Sequence, residues 1–149
     1  MQTARLDFNK MSLFIPAEIR SQKARVGYVT RQNNERIDKI PMNVMTGAPA
    51  KSNDPATWAN YETAVDLAVQ RGYAGIGFMF QPPYVGVDID HCVKDGVIAP
   101  YALDILNVLN SYSEYSPSGT GIHILCKGEI ARACKISKIG LEIYTKGRF

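Results

Sequence analysis

A chain of 149 residues with 46% apolar and 21% charged residues has the length and composition of one globular domain with its own core. That excludes a disordered or fibrous chain, and a net charge of +3 admits acidic partners without demanding them. No apolar run reaches the length of a membrane span, and residues 1–10 lack the apolar core of a secretory signal. Three cysteines without CxxC spacing (Cys92, Cys126 and Cys134) point to a reduced, cytoplasmic protein.

In chain order, residues 1–24 form an N-terminal segment with no assigned element. The stretch KARVGYVTRQNNERIDKIPMN predicts a hairpin: a strand near Arg25–Arg31, a turn at Asn33-Asn34 and a return strand near Arg36–Ile40. Pro41, Gly47 and Pro49 mark a loop. SNDPATWANYETAVDLAVQRGY then predicts a helix, capped by Asn53 or Asp54, with Pro55 in its first turn and Gly72 at its stop. Tyr61, Val65, Ala68 and Val69 supply its apolar stripe.

Two strands follow at 75–80 and 84–90, separated by Pro82-Pro83. APYALDILNVLNSY predicts a second helix, with Pro100 in the first turn and Ala102, Leu103, Leu106 and Leu109 facing inward. Short strands are expected at Ser113–Ser116 and Gly121–Cys126, with a last one at Ile139–Thr145. The order predicts a single α+β domain over residues 1–149 with a largely antiparallel sheet.

The stretch YVGVDID carries the chemistry. On a strand, Val85, Val87 and Ile89 would be buried on one side while Asp88 and Asp90 point from the other. The later strands repeat the device: His123 lies between Ile122 and Ile124, and Glu142 between Leu141 and Ile143. A DxD at a strand end is by itself more often a solvated terminus, a lone His a structural hydrogen-bonder and a lone Glu solvent-facing. Their conjunction at matching phases favours a shared site. Converging carboxylates repel unless a cation neutralises them, and hard oxygen ligands suit Mg²⁺ or Mn²⁺ with a phosphate-bearing substrate. The loop SPSGTG, with Ser116, Ser118, Gly119 and Thr120, is a candidate phosphate cradle, although such runs are usually plain turns. A zinc site from His91, Cys92, Cys126 and Cys134 is disfavoured, because adjacent His91 and Cys92 would point opposite ways on a strand.

VGVDIDHC, YSEYSPSGTGIHIL and IGLEIYTKGRF, in this order, resemble the three catalytic motifs of the archaeo-eukaryotic primase superfamily. Within it the chain resembles the primase-polymerase domain at the N-terminus of phage and plasmid replication proteins, over roughly residues 25–149. The resemblance implies a small N-terminal α/β unit and an RRM-like sheet carrying the acidic site. It implies metal binding by Asp88, Asp90 and Glu142, and contact of His123 with the phosphates of an incoming nucleotide. Lys39 and Arg148 fall where basic residues would meet triphosphate or template. The implied partners are a single-stranded DNA template, NTP or dNTP, and a replicative helicase domain or protein, in a bacterial or phage-infected cell and away from membranes. The second motif departs from the family's Ser-x-His, with Gly121 in place of the Ser. A further helix and strand are expected beyond Phe149. Two other readings compete with a polymerase: a non-catalytic nucleotide- or nucleic-acid-binding remnant or regulator, and a metal-dependent nuclease.

Overall fold

The computed structural model describes residues 14–149. The fold is α+β, in two compact units: one runs to Met79 and takes in Phe149, the other is Phe80–Arg148. The first thirteen residues of the unassigned 1–24 segment lie outside the described residues; the remainder contains the short helix α1 (Ala17–Arg20).

In the first unit, β1 (Arg25–Asn33) and β2 (Arg36–Met42) form the predicted hairpin. The turn lies at Asn34-Glu35, one residue later than expected, with Asn34 in the left-handed region at φ 54°. With β3 (Gly75–Phe78) they make an antiparallel sheet of order β2-β1-β3. The predicted helix start is corrected. Asp54 accepts a bond from the Ala56 N–H and caps only a 3₁₀ turn, Pro55–Thr57. The helix proper, α2 (Tyr61–Gln70), begins six residues later under Asn60, which accepts from the Thr63 N–H at 2.9 Å.

The break between them has a cause. Trp58 is buried and extended, donates its indole N–H to the Lys51 carbonyl, and leads into Ala59, which exchanges two backbone bonds with Arg25. The buried stripe of α2 is Tyr61, Ala64 and Ala68, whereas Val69 is exposed. Gly72, at φ 66°, follows the helix where a stop was expected.

The second unit contains β4 (Tyr84–Ile89), β5 (Val93–Lys94), β6 (Val97–Ile98), α3 (Pro100–Leu109), β7 (Tyr112–Tyr115), β8 (Ile122–Lys127), β9 (Cys134–Ile136) and β10 (Leu141–Tyr144). Five strands form one antiparallel sheet in the order β7-β8-β4-β10-β9. β4 and β7 are joined through α3 and separated by β8, a split β-α-β arrangement. Neither the edge strand β9 nor the β5-β6 hairpin was expected. The hairpin turns at Asp95-Gly96, both at positive φ, an Asp-Gly signal of the kind two-residue hairpins use.

One face of this sheet carries Val87, Ile89, Ile122, Ile124 and Leu141 into a core closed by α3 through Ala102, Ile105, Leu106 and Leu109. That i, i+3, i+4, i+7 set leaves Leu103 one position off the stripe, and it is exposed rather than inward as predicted. Cys92 is buried in this core, Cys126 half-buried and Cys134 exposed. No described helix is long and apolar enough to cross a membrane.

Candidate functional site: an acidic row across the sheet

Because α3 covers one face of the sheet, residues at alternate positions are left on the other. Register then decides which of them meet. Asp88 on β4 lies opposite His123 on β8 and Glu142 on β10, and the row continues to Glu114 on β7 and Lys135 on β9. Three of the four residues expected to converge therefore stand abreast on adjacent strands, with Asp88 in the middle. Its flanking Val87 and Ile89 are buried in the core, as the alternation predicts.

Asp88 is the most burdened carboxyl of the row. Burial pushes its pKa up, and the charges of Asp90 and Glu142 push it the same way. His123 and a hydrogen bond from Tyr144 act against that rise. The Tyr144 hydroxyl donates to Asp88 Oδ1 at 3.0 Å. This bond depends on Gly86, the β4 partner of Tyr144: a Cβ there would lie 2.4 Å from the Tyr144 ring. The bare backbone lets the ring lie across β4, closed from the side by an edge-on Phe80 at 4.9 Å. Burial and the neighbouring carboxylate hold the phenol far above its ordinary pKa, so it remains a donor.

His123 sits between two carboxylates, its Nε2 4.0 Å from Asp88 Oδ1 and its Nδ1 3.7 Å from Glu114 Oε1. Glu114 in turn accepts a hydrogen bond from the Tyr112 hydroxyl at 2.9 Å. Glu142 is held differently. Lys135 Nζ lies 2.5 Å from its Oε1 and Arg148 Nη2 lies 3.4 Å from its Oε2. The Lys135 bond, with help from Arg148, draws its pKa below the ordinary carboxylate value against a smaller desolvation effect.

Asp90 lies one residue past β4, where two glycines flank its backbone. Its N–H donates to the Gly140 carbonyl, and a Cβ on Gly140 would stand 2.7 Å from the Asp90 carbonyl oxygen. On the other side a Cβ on Gly121 would meet the Ile89 carbonyl at 2.9 Å. Gly121 closes the 116–121 loop, whose hydroxyls bond one another: Ser116 with Ser118 at 3.0 Å and Ser118 with Thr120 at 2.9 Å. Ser116 Oγ also accepts from the Gly121 N–H, and Gly119 turns at φ 73°. The loop thus ends beside the last residues of β4. Lys39 belongs to the first unit, where its ammonium lies 5.5 Å from the Tyr28 ring centroid.

Sequence reasoning missed Tyr144, Gly86, Lys135 and Glu114. Tyr144 stands two residues after Glu142 and shares its face by simple alternation, so that signal was present. Lys135 carries none: only the register of an unpredicted strand brings it to Glu142.

As a donor set, a desolvated Asp88 with Asp90 and Glu142 adding to its electrostatic burden suits a hard divalent cation. Among the described residues, no three His, Cys, Asp or Glu side chains are drawn together at ligating distance, and Glu142 is turned onto its cationic partners.

No protein-family model matches the chain. Over 124 residues it is 34% identical to the DNA primase-polymerase of Nitratiruptor phage NrS-1, an alignment covering 77% of this chain. The chain is related to a primase-polymerase. It spans 17% of the length of that curated relative.

Proposed function

We propose that this chain is a nucleotidyltransferase domain of a DNA primase-polymerase, a member of the archaeo-eukaryotic primase superfamily acting in phage or plasmid replication. It would extend a strand from NTPs or dNTPs against a single-stranded DNA template, in the cytoplasm of a bacterial or phage-infected cell and alongside a replicative helicase domain or protein. The observation that supports this best is the row Glu142–Asp88–His123 on three adjacent strands, in a chain with a primase-polymerase relative.

Asp88, Asp90 and Glu142 would hold Mg²⁺ or Mn²⁺. Two such ions, when bound, supply Lewis-acid activation of a hydroxyl nucleophile and neutralise charge on the leaving pyrophosphate. Tyr144 fixes Asp88 Oδ1, and Gly121 and Gly140 fix the backbone of Asp90, so Asp88 would need little reordering to receive a cation, whereas Glu142 would have to leave its cationic partners. His123, beside Asp88, is placed to donate to a phosphate oxygen as charge develops there. The hydroxyls of Ser116, Ser118 and Thr120, now bonded to one another, can turn toward a phosphate near Gly119. Arg148 would meet the triphosphate.

The deciding experiment is calorimetry of a deoxynucleoside triphosphate with Mn²⁺ on wild type and on Asp88→Asn/Asp90→Asn. Metal-dependent binding present in wild type and lost in the variant is the expected result, followed by primer synthesis on single-stranded DNA. Absence of binding by the folded wild type would refute the assignment. A non-catalytic nucleotide-binding module is the second reading, supported by the ion pairs that engage Glu142. It predicts nucleotide binding without synthesis, whereas degradation of single-stranded DNA that Asp88→Ala abolishes would point to a nuclease instead.

A further inference from the structure

We infer that Lys135 is a substrate-binding residue that exchanges partners: it neutralises Glu142 in the empty site and moves to the nucleotide's phosphates when a divalent cation takes the carboxylate. The inference rests on the proposed function and adds to it a residue that no motif contains. Lys135 lies on β9, at the sheet edge, directly opposite Glu142 in register and on the same face as Asp88 and His123. All three residues of β9 are exposed.

The geometry favours exchange over a fixed structural pair. The Lys135 side chain is 65% exposed and that of Arg148 58%, against 20% for Glu142. A carboxylate that is mostly covered and flanked by two exposed, flexible cations gains charge compensation from them at little cost in order. Ion pairs made by exposed cations are weak, so a divalent cation held by Glu142 and its neighbours would displace them. The freed ammonium then lies beside the newly bound cation. There it is repelled unless an anion joins it, and a triphosphate provides that anion. Arg148 stays at hand through the Tyr144 ring, 6.0 Å from its guanidinium carbon.

A lysine that only braces Glu142 and one that changes partners make different predictions for Lys135→Gln. Exchange predicts opposite movements in two binding constants. Mn²⁺ alone, followed by paramagnetic resonance of the free ion, should bind about two- to fivefold tighter, because a competitor for Glu142 is gone. Binding of dTTP in saturating Mn²⁺, followed by calorimetry, should weaken by a similar factor. Lys138→Gln makes the same change in net charge three residues away and should move neither constant appreciably. Lys135→Arg should restore both. If Lys135→Gln leaves dTTP binding unchanged, or moves both constants in one direction, the exchange is refuted while the proposed function stands. If wild type binds no Mn²⁺, both fall together.

Discussion

Asp88 and Glu142 are neighbours on one sheet face with opposite electrostatic histories. Burial raises the Asp88 pKa, so its contribution to stability is full below the ordinary carboxylate value and is lost as pH rises through the raised one. Asp88→Asn removes that loss and can still accept the Tyr144 hydrogen bond. It should therefore melt at the same temperature as wild type or higher at neutral pH, with the advantage developing as pH rises through the raised value and constant above it, while cation-dependent nucleotide binding disappears. Lys135 lowers the Glu142 pKa, so its contribution is present above the ordinary value and is lost as pH falls through the lowered one. Glu142→Gln should accordingly lower the melting temperature near neutrality and converge on wild type in acid. Thermal melts of both variants across pH check the pair, and a destabilised Asp88→Asn would show that burial of this charge is well compensated. Tyr144→Phe keeps the ring but leaves Asp88 without its donor, at a cost of about 1–3 kcal/mol in urea unfolding.

At the scale of elements, the glycines and caps carry the local consequences. Gly140 sits at φ 65°, and an added Cβ would press on the Asp90 carbonyl, a backbone atom that cannot swing away. Gly140→Ala should displace Asp90 from the start of β10 and weaken cation binding more than overall stability. Measuring both on one sample decides it. Helix α2 offers a cleaner case. Asn60→Ala removes the cap of a ten-residue helix and should cost about 1 kcal/mol. Asp54→Ala removes the cap of a three-residue 3₁₀ turn and should cost a fraction of that. Equal losses in denaturant titrations would mean that Asp54 governs the helix after all. The sequence favoured Asp54 because Asp-Pro is a sound helix start. What overrode it is the pairing of Ala59 with Arg25, a contact 34 positions away that local propensity does not contain.

Across the whole molecule, the acidic row depends on the core beneath it. Ile124 is buried at 2% exposure between the strands that carry Asp88 and His123 and the helix that closes them. Ile124→Ala should cost about 2–5 kcal/mol and reduce hydrogen-exchange protection in β4 and β8. Retention of full protection there would mean that the site does not draw its rigidity from this core.

Alternation along YVGVDI, GIHIL and GLEIY was enough to separate buried from outward residues, because a strand's period of two is a property of the chain alone. The same holds for Gly72 at a helix stop and Pro100 at a helix start. Order along the chain also sufficed for an α+β class and for the resemblance of the three motifs. Which outward residues would meet was not contained there. Pairing register places Glu142 and His123 on either side of Asp88, and brings Lys135 to Glu142 from a strand of three residues, too short for alternation to announce it. Tyr144 reaches Asp88 only because Gly86 lies opposite it on the neighbouring strand. Side-chain direction follows from local stereochemistry and is therefore legible in sequence, whereas juxtaposition follows from non-local pairing, which only the folded sheet decides.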